Sequence, residues 1–113
     1  MTALLNVNQA LANLSGLANT DVTVEGILHF EFEDVGIYHW PKSERFPNYG
    51  SGIWLSVGMG SFNFDVEICR QLNGKRVVVE GLILKPDAHF GGCGHMNMWP
   101  AELIARTLSK VNE

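Results

Sequence analysis

Residues 89–100 read His-Phe-Gly-Gly-Cys-Gly-His-Met-Asn-Met-Trp-Pro, a dense run of soft donor side chains. His89, His95, Met96 and Met98 offer two imidazoles and two thioethers, and Cys93 adds a thiol. Imidazole with thioether and thiolate favours Cu(I), or Zn(II) if the thioethers are left out. If 96–98 is extended, side chains two apart project to one side, so Met96 and Met98 form a pair and Trp99 points away. A structural reading of the same residues competes with this. Gly91, Gly92 and Gly94 give a turn its backbone freedom, and Met96 and Met98 fill gaps in a small core. Cys93 then acts as a small hydrophobe, and His95 bonds the turn backbone. No C-x-x-C or H-x-x-x-H spacing occurs, so there is no recognised zinc motif and the structural reading is preferred.

A second group is aromatic. Tyr38, His39, Trp40, Phe46, Tyr49 and Trp54 cluster near Lys42 and Arg45. Tyr38, Trp40, Tyr49 and Trp54 are the candidate ligand-binding residues, since exposed rings on such a stretch stack on bases or sugars or dock a protein. The alternative places Trp54 and one or two others in the core, with Phe46 and Tyr49 pinning a long loop. On one strand face His29 neighbours Glu25, Glu31 and Glu33. Carboxylates favour the charged imidazole, which makes this a candidate pH-sensitive patch. A solvated acidic face accounts for the same residues.

Catalytic constellations are not visible. Ser43, Ser51, Ser56 and Ser61 lie in no G-x-S-x-G setting. Cys93 and His95 are two apart, whereas catalytic Cys/His pairs meet from distant positions. Gly91-Gly92-Cys93-Gly94 has neither the spacing nor the following helix of a phosphate loop or dinucleotide fingerprint. The expectation is a non-enzymatic chain with no cofactor.

With 113 residues the chain should form one domain and bury roughly two-thirds of its unfolded surface. Apolar residues make up 46% and charged ones 18%, a globular and not a disordered balance. The formal charge of −4 weighs against nucleic acid, because phosphates need a basic field. The eight basic residues are scattered, and only Lys75 and Arg76 are adjacent. There is no apolar run of membrane-spanning length, and the N-terminus lacks the basic start of a secretory signal. A cytoplasmic chain with Cys69 and Cys93 as free thiols is therefore expected.

The elements that must hold these groups are mostly strands. Residues 8–15 suggest a short helix capped by Asn8 and ended by Gly16 in the left-handed conformation. In 21–34, Val22, Val24, Leu28, Phe30 and Phe32 share one parity, and Thr23, Glu25, His29, Glu31 and Glu33 the other. That is a long strand with one buried face and an acidic outer one. Gly26 sits at an inward position, where a missing side chain permits a sharp bend, and Gly81 repeats it in a second Val-Glu-Gly context. Further strands are expected at 37–40, 53–57 and 75–85; 101–111 fits strand or helix by propensity and is read as a strand from its context. Residues 62–72 fit a short strand running into a helical turn, with a hairpin at Asn73-Gly74 as the rival. The fold class that follows is all-β: a small closed five-stranded barrel (21–113) behind an N-terminal helical segment (1–20), one domain in all.

Three pieces between 53 and 112 sharpen this: "IWLSV", "LNGKRVVVEGLIL" and "GHMNMWPAELIA". Together with "VTVEGIL" they resemble the OB-fold, in the form of a group of small uncharacterised bacterial OB-fold-like proteins. The resemblance implies a barrel that binds on one face, and it assigns no activity. Met96-Asn97-Met98 also resembles the M-x-M pair of periplasmic copper chaperones, which are small OB-folds binding Cu(I) with a His and a nearby Trp; His89 or His95 would supply the imidazole. The pair here precedes the last strand, the Trp follows it directly, and no export signal is present. The reading that results is a non-enzymatic OB-like module binding a protein or small ligand through 38–54. A Cu(I) or Zn site at 89–98 is one alternative, and single-stranded nucleic acid another. The oligomeric state is not legible in the sequence. Titration of the reduced protein with Cu(I) and Zn(II) separates the two readings of 89–98. A packed turn takes up neither ion tightly, whereas a metal site shows at least micromolar uptake that disappears in Met96→Ala/Met98→Ala.

Overall fold

A computed structural model of the chain describes residues 4–31, 34–47, 50–56, 66–86, 92–93 and 99–111. The protein is mostly β, with six strands in one sheet: β1 Leu4–Asn6, β2 Thr20–Glu31, β3 Asp34–Tyr38, β4 Gly52–Ser56, β5 Arg76–Leu84 and β6 Glu102–Lys110. Helices α1 (Val7–Ala12) and α2 (Leu14–Leu17) precede β2, and α3 (Val66–Leu72) lies between β4 and β5. The hydrogen-bonded order is β1-β2-β3-β4-β6-β5, and β5 also pairs with β2, so β2 to β6 close a ring of five strands. All pairs in the ring are antiparallel except β4 with β6. No helix among the described residues is long and apolar enough to cross a membrane.

The ring encloses the core. Val22, Val24, Leu28, Ile37, Ile53, Leu55, Val77, Val79, Ile83 and Leu103 are buried in it, with Val7 and Ala10 of α1 packed alongside. The alternation expected of β2 holds at Val22, Val24 and Leu28. Ile27, of the other parity, is buried too. Its cross-strand partners are Tyr38 and Arg76, and these larger side chains shelter it.

Closure brings strands together at two glycines. A Cβ on Gly26 would strike the Tyr38 carbonyl and stand 2.8 Å from Ile37 Cγ1; one on Gly81 would strike the Ile104 carbonyl and stand 2.9 Å from Ala105 Cα. At Gly81 the β5–β6 register also slips: Glu80 faces Thr107 and Gly81 faces Ala105, leaving Arg106 as the extra residue of a bulge. Arg106 reaches Asp21 instead.

The N-terminal segment differs from the sequence expectation. Residues 4–6 form a parallel strand on β2, Leu4 against Thr23 and Asn6 against Glu25. The helix cap is Asn6, not Asn8. The Asn6 side chain accepts from the Gln9 N–H (2.8 Å), and the Gln9 side chain accepts from the Asn6 N–H (2.9 Å). This reciprocal capping box satisfies two donors at once, which Asn8 could not do. Gly16 lies inside α2, and the left-handed residue is Asn19, at φ 68°. Between β4 and β5 the expected helical turn is present as α3, and the hairpin at Asn73-Gly74 is not formed; the strand expected from 62 lies outside the described residues. Gly74 at φ 82° ends the turn after α3, and its N–H donates to the Leu28 carbonyl. Asn73 Oδ1 accepts from the Phe30 N–H at 3.0 Å, which ties the end of α3 to β2.

Gly26→Ala and Gly81→Ala each push a methyl into main-chain atoms, and each should cost about 1–3 kcal/mol in urea denaturation. Gly16→Ala, with nothing within 4 Å of the added carbon and a helical setting, should be neutral or stabilise by up to about 1 kcal/mol.

Candidate functional site

Two features of the outer surface combine aromatic and charged side chains. The first lies across β2, β3 and β4. Tyr38 pairs with Ile27 on one side and Gly52 on the other, and Gly36 pairs with His29 and Trp54. The Tyr38 ring lies over the two glycines: a Cβ on Gly52 would stand 2.8 Å from its Cε1. Around this ring a polar chain is assembled. Trp99 Nε1–H donates to Tyr38 Oη (3.2 Å), Tyr38 O–H donates to Asp34 Oδ1 (2.8 Å), and Asp34 Oδ2 stands 3.4 Å from His29 Nδ1. The His29 and Tyr38 rings are 4.2 Å apart, and Trp54 meets Trp99 edge-on at 4.8 Å. The Arg45 guanidinium carbon sits 5.5 Å above the Tyr38 ring. Tyr38 is thus only 7% exposed. Its stacking surface is already covered by the chain's own side chains.

Next to this, residues 39–47 and 50–51 are tied down by half-buried polar bonds. His39 is fully buried. Its Nδ1 accepts the Asn8 N–H (3.1 Å), which leaves the ring proton on Nε2, facing Glu44 Oε1 at 3.1 Å. The His39 carbonyl accepts from Arg45 Nε, and the His39 N–H donates to the Ser51 carbonyl. Ser51 Oγ–H donates to Asn8 Oδ1 and accepts from the Phe46 N–H. The Trp40–Pro41 peptide is cis. Trp40 follows this anchor directly and is 41% exposed.

Trp40 forms the wall of the second feature, a cleft of about 570 Å³ floored by Ile27 and bordered by Gly74, Lys75, Arg76, Lys110 and Val111. The Arg76 guanidinium carbon lies 5.3 Å over the indole, and one of its nitrogens is 3.6 Å from Glu25. The pairing of Val77 with Lys110 and the Val111 N–H bond to the Arg76 carbonyl bring the end of β6 alongside the start of β5. Three of the chain's eight Lys and Arg residues therefore border one cleft.

The residues expected to bind ligand are distributed between these places. Tyr38 and Trp54 share the first, and Trp40 stands in the second. Tyr49 lies outside the described residues, as do His89, His95, Met96 and Met98. The ends of that last stretch are described. Cys93 and Trp99 exchange main-chain hydrogen bonds of 2.8 and 3.0 Å. Neither cysteine is in a disulfide, and both are buried. Burial, and then the charge of Glu102, push the Cys93 thiol up to about 11, so it is protonated at neutral pH. Among the described residues, His29 with Glu31 and Asp34 could converge on a cation, their ligand atoms lying within 4.8 Å of one another. Those are harder donors than the soft set at 89–98.

Sequence reading missed Asp34, Lys75, Arg76 and Lys110. Asp34 sits five residues after His29, a spacing that a tight hairpin brings together. Lys110 had no local signal, because only strand register places it.

No protein-family model matches the chain, and no curated protein does. Among solved structures it is similar to a crystal structure from Leishmania major Friedlin described as an aspartyl-tRNA synthetase, with TM-score 0.59 and 12% identity. The likeness covers 99% of this chain and 21% of that one, so the chain spans about a fifth of its neighbour's length. At this identity the likeness concerns the fold alone.

Tyr38→Phe removes two hydrogen bonds of the outer-face chain while keeping the ring. It should cost about 1–3 kcal/mol in the denaturation midpoint and shift the Trp99 indole N–H resonance. An unchanged midpoint and resonance would mean that the Trp99–Tyr38–Asp34 chain does not hold this face together.

Proposed function

We propose that the chain is a non-enzymatic binding module on an OB-like barrel, and that it holds a small anionic ligand in the Trp40 cleft. The barrel reading draws on the ring order β2-β3-β4-β6-β5, the helix between β4 and β5, and the resemblance of the β4 to β6 sequences. OB-folds commonly bind on the face of their second and third strands, which are β3 and β4 here. In this chain Arg45 and His29 lie against the Tyr38 ring. Trp40 is the more exposed ring at 41%, with the Arg76 guanidinium lying over it.

The observation that carries the proposal is the meeting of an exposed indole with Lys75, Arg76 and Lys110 in a protein whose net charge is −4. Clustered like charges repel, and an anion relieves that repulsion. A volume of 570 Å³ lies within the roughly 300–1,000 Å³ of small-molecule sites.

Single-stranded nucleic acid is the second reading, favoured by the tRNA in the structural neighbour's name and by the same cations. It calls for a basic track along the backbone, and three cations in one cleft supply a single point of contact.

Amide resonances of Lys75, Arg76 and Lys110, followed at low salt during titration with inorganic phosphate, test the proposal. The expected result is a saturable shift confined to the cleft and lost in Lys75→Glu/Lys110→Glu. Shifts scattered over the surface, or none, would sink it.

A further inference from the structure

We infer that the ligand of the Trp40 cleft joins a planar ring to a phosphate, the chemistry of a free nucleoside monophosphate; this rests on the cleft being the binding site.

The ring half of the inference comes from Trp40. Its backbone is held on one side by His39, which is bonded to Asn8, Glu44 and Ser51, and on the other by the Pro41 ring. A large ring left 41% exposed on an anchored backbone is preorganised for stacking, because little freedom is lost when a second ring settles on it. Base–aromatic stacking tolerates any base, since each has a π-face. Purines, with the larger face, should bind more tightly than pyrimidines.

The phosphate half comes from the cations and from what is missing around them. The main-chain N–H groups of Gly74, Lys75 and Val111 already donate, to the carbonyls of Leu28, Leu72 and Arg76. They offer no amide nest, so an anion here is gripped by side chains. Arg76 brings a planar fork suited to two phosphate oxygens, and Lys75 and Lys110 add mobile point charges. Arg76 already lies over the indole, so the phosphate grip and the ring platform are in contact before any ligand arrives. Gly74 has nothing within 4 Å of a would-be Cβ, which leaves that border of the cleft clear. Glu25 is the opposing charge: it stands 3.6 Å from Arg76, both about one-quarter exposed, and competes with the phosphate for the guanidinium.

The test is a parallel titration at low salt with AMP, adenosine, ribose 5-phosphate, inorganic phosphate and an oligoadenylate series. The readouts are the cleft amides and the Trp40 indole N–H, assigned by its loss in Trp40→Phe. AMP should bind roughly tenfold or more tightly than adenosine, ribose 5-phosphate or phosphate. Trp40→Ala should weaken AMP by a similar factor and leave phosphate unchanged. Lys75→Ala/Lys110→Ala, two exposed positions where folding is not at stake, should weaken AMP and phosphate together. Glu25→Gln should tighten both. Phosphate binding as well as AMP, or AMP indifferent to Trp40→Ala, would overturn the ring inference and leave the anion site standing. Affinity that climbs with oligoadenylate length would overturn it in favour of a strand. Silence of the cleft toward every probe would overturn both readings.

Discussion

One twelve-residue strand must serve neighbours on both of its edges. β2 pairs with β5 from Thr20 to Ile27 and with β3 from Ile27 to Glu31, while β1 occupies the edge opposite Thr23 to Glu25. A strand can change partners in this way only if it bends and lets a neighbour's backbone come close. That close approach falls at Gly26, where the Tyr38 carbonyl takes the space a side chain would fill. Gly81 does the same for β5 against Ile104, and a bulge at Arg106 absorbs the register change. Without these two approaches the sheet would stay open, with unpaired edges and a solvated inner face.

Closure also decides what happens outside the ring. The close approach at Gly26 puts Ile27 under Tyr38 and Arg76 and turns an outward position into the floor of a cleft. The same closure sets the start of β5 beside the end of β6, so charges remote in the chain become neighbours. Residues 39–47 and 50–51 lie against α1 through hydrogen bonds to Asn8. They are secured there by His39, Ser51 and Asn8, polar groups that satisfy one another in a buried place where an unmade hydrogen bond would be costly. Trp40 is exposed beside this anchor: His39 before it is committed to the interior, and the indole is left 41% exposed.

The outer face of β3 and β4 shows the opposite outcome. Gly36 and Gly52 leave a shallow trough, and Tyr38 fills it. Arg45 and His29 lie against the ring, while at its hydroxyl Trp99 donates and Asp34 accepts. Aromatic residues that look alike in the sequence are thus divided by their surroundings: Tyr38 is part of the wall and Trp40 is available.

Strand positions were largely legible in the sequence, because alternation of apolar and polar residues is a local property of a half-buried strand. β2, β5 and β6 follow it, and both Val-Glu-Gly glycines mark the close approaches. The acidic balance and the absence of a recognised zinc spacing are equally local. The N-terminal cap was misplaced by two residues, since Asn6 and Asn8 look equivalent until Gln9 is seen to bond back to one of them. What the sequence determined by itself was therefore which segments are strands and which of their faces is apolar. The tertiary structure alone decided that Tyr38 is covered, that Asp34 meets His29, and that Lys110 joins Lys75 and Arg76 at Trp40. Those facts depend on register and closure, which are set by contacts among residues far apart in the chain and leave no trace in the spacing of any one segment.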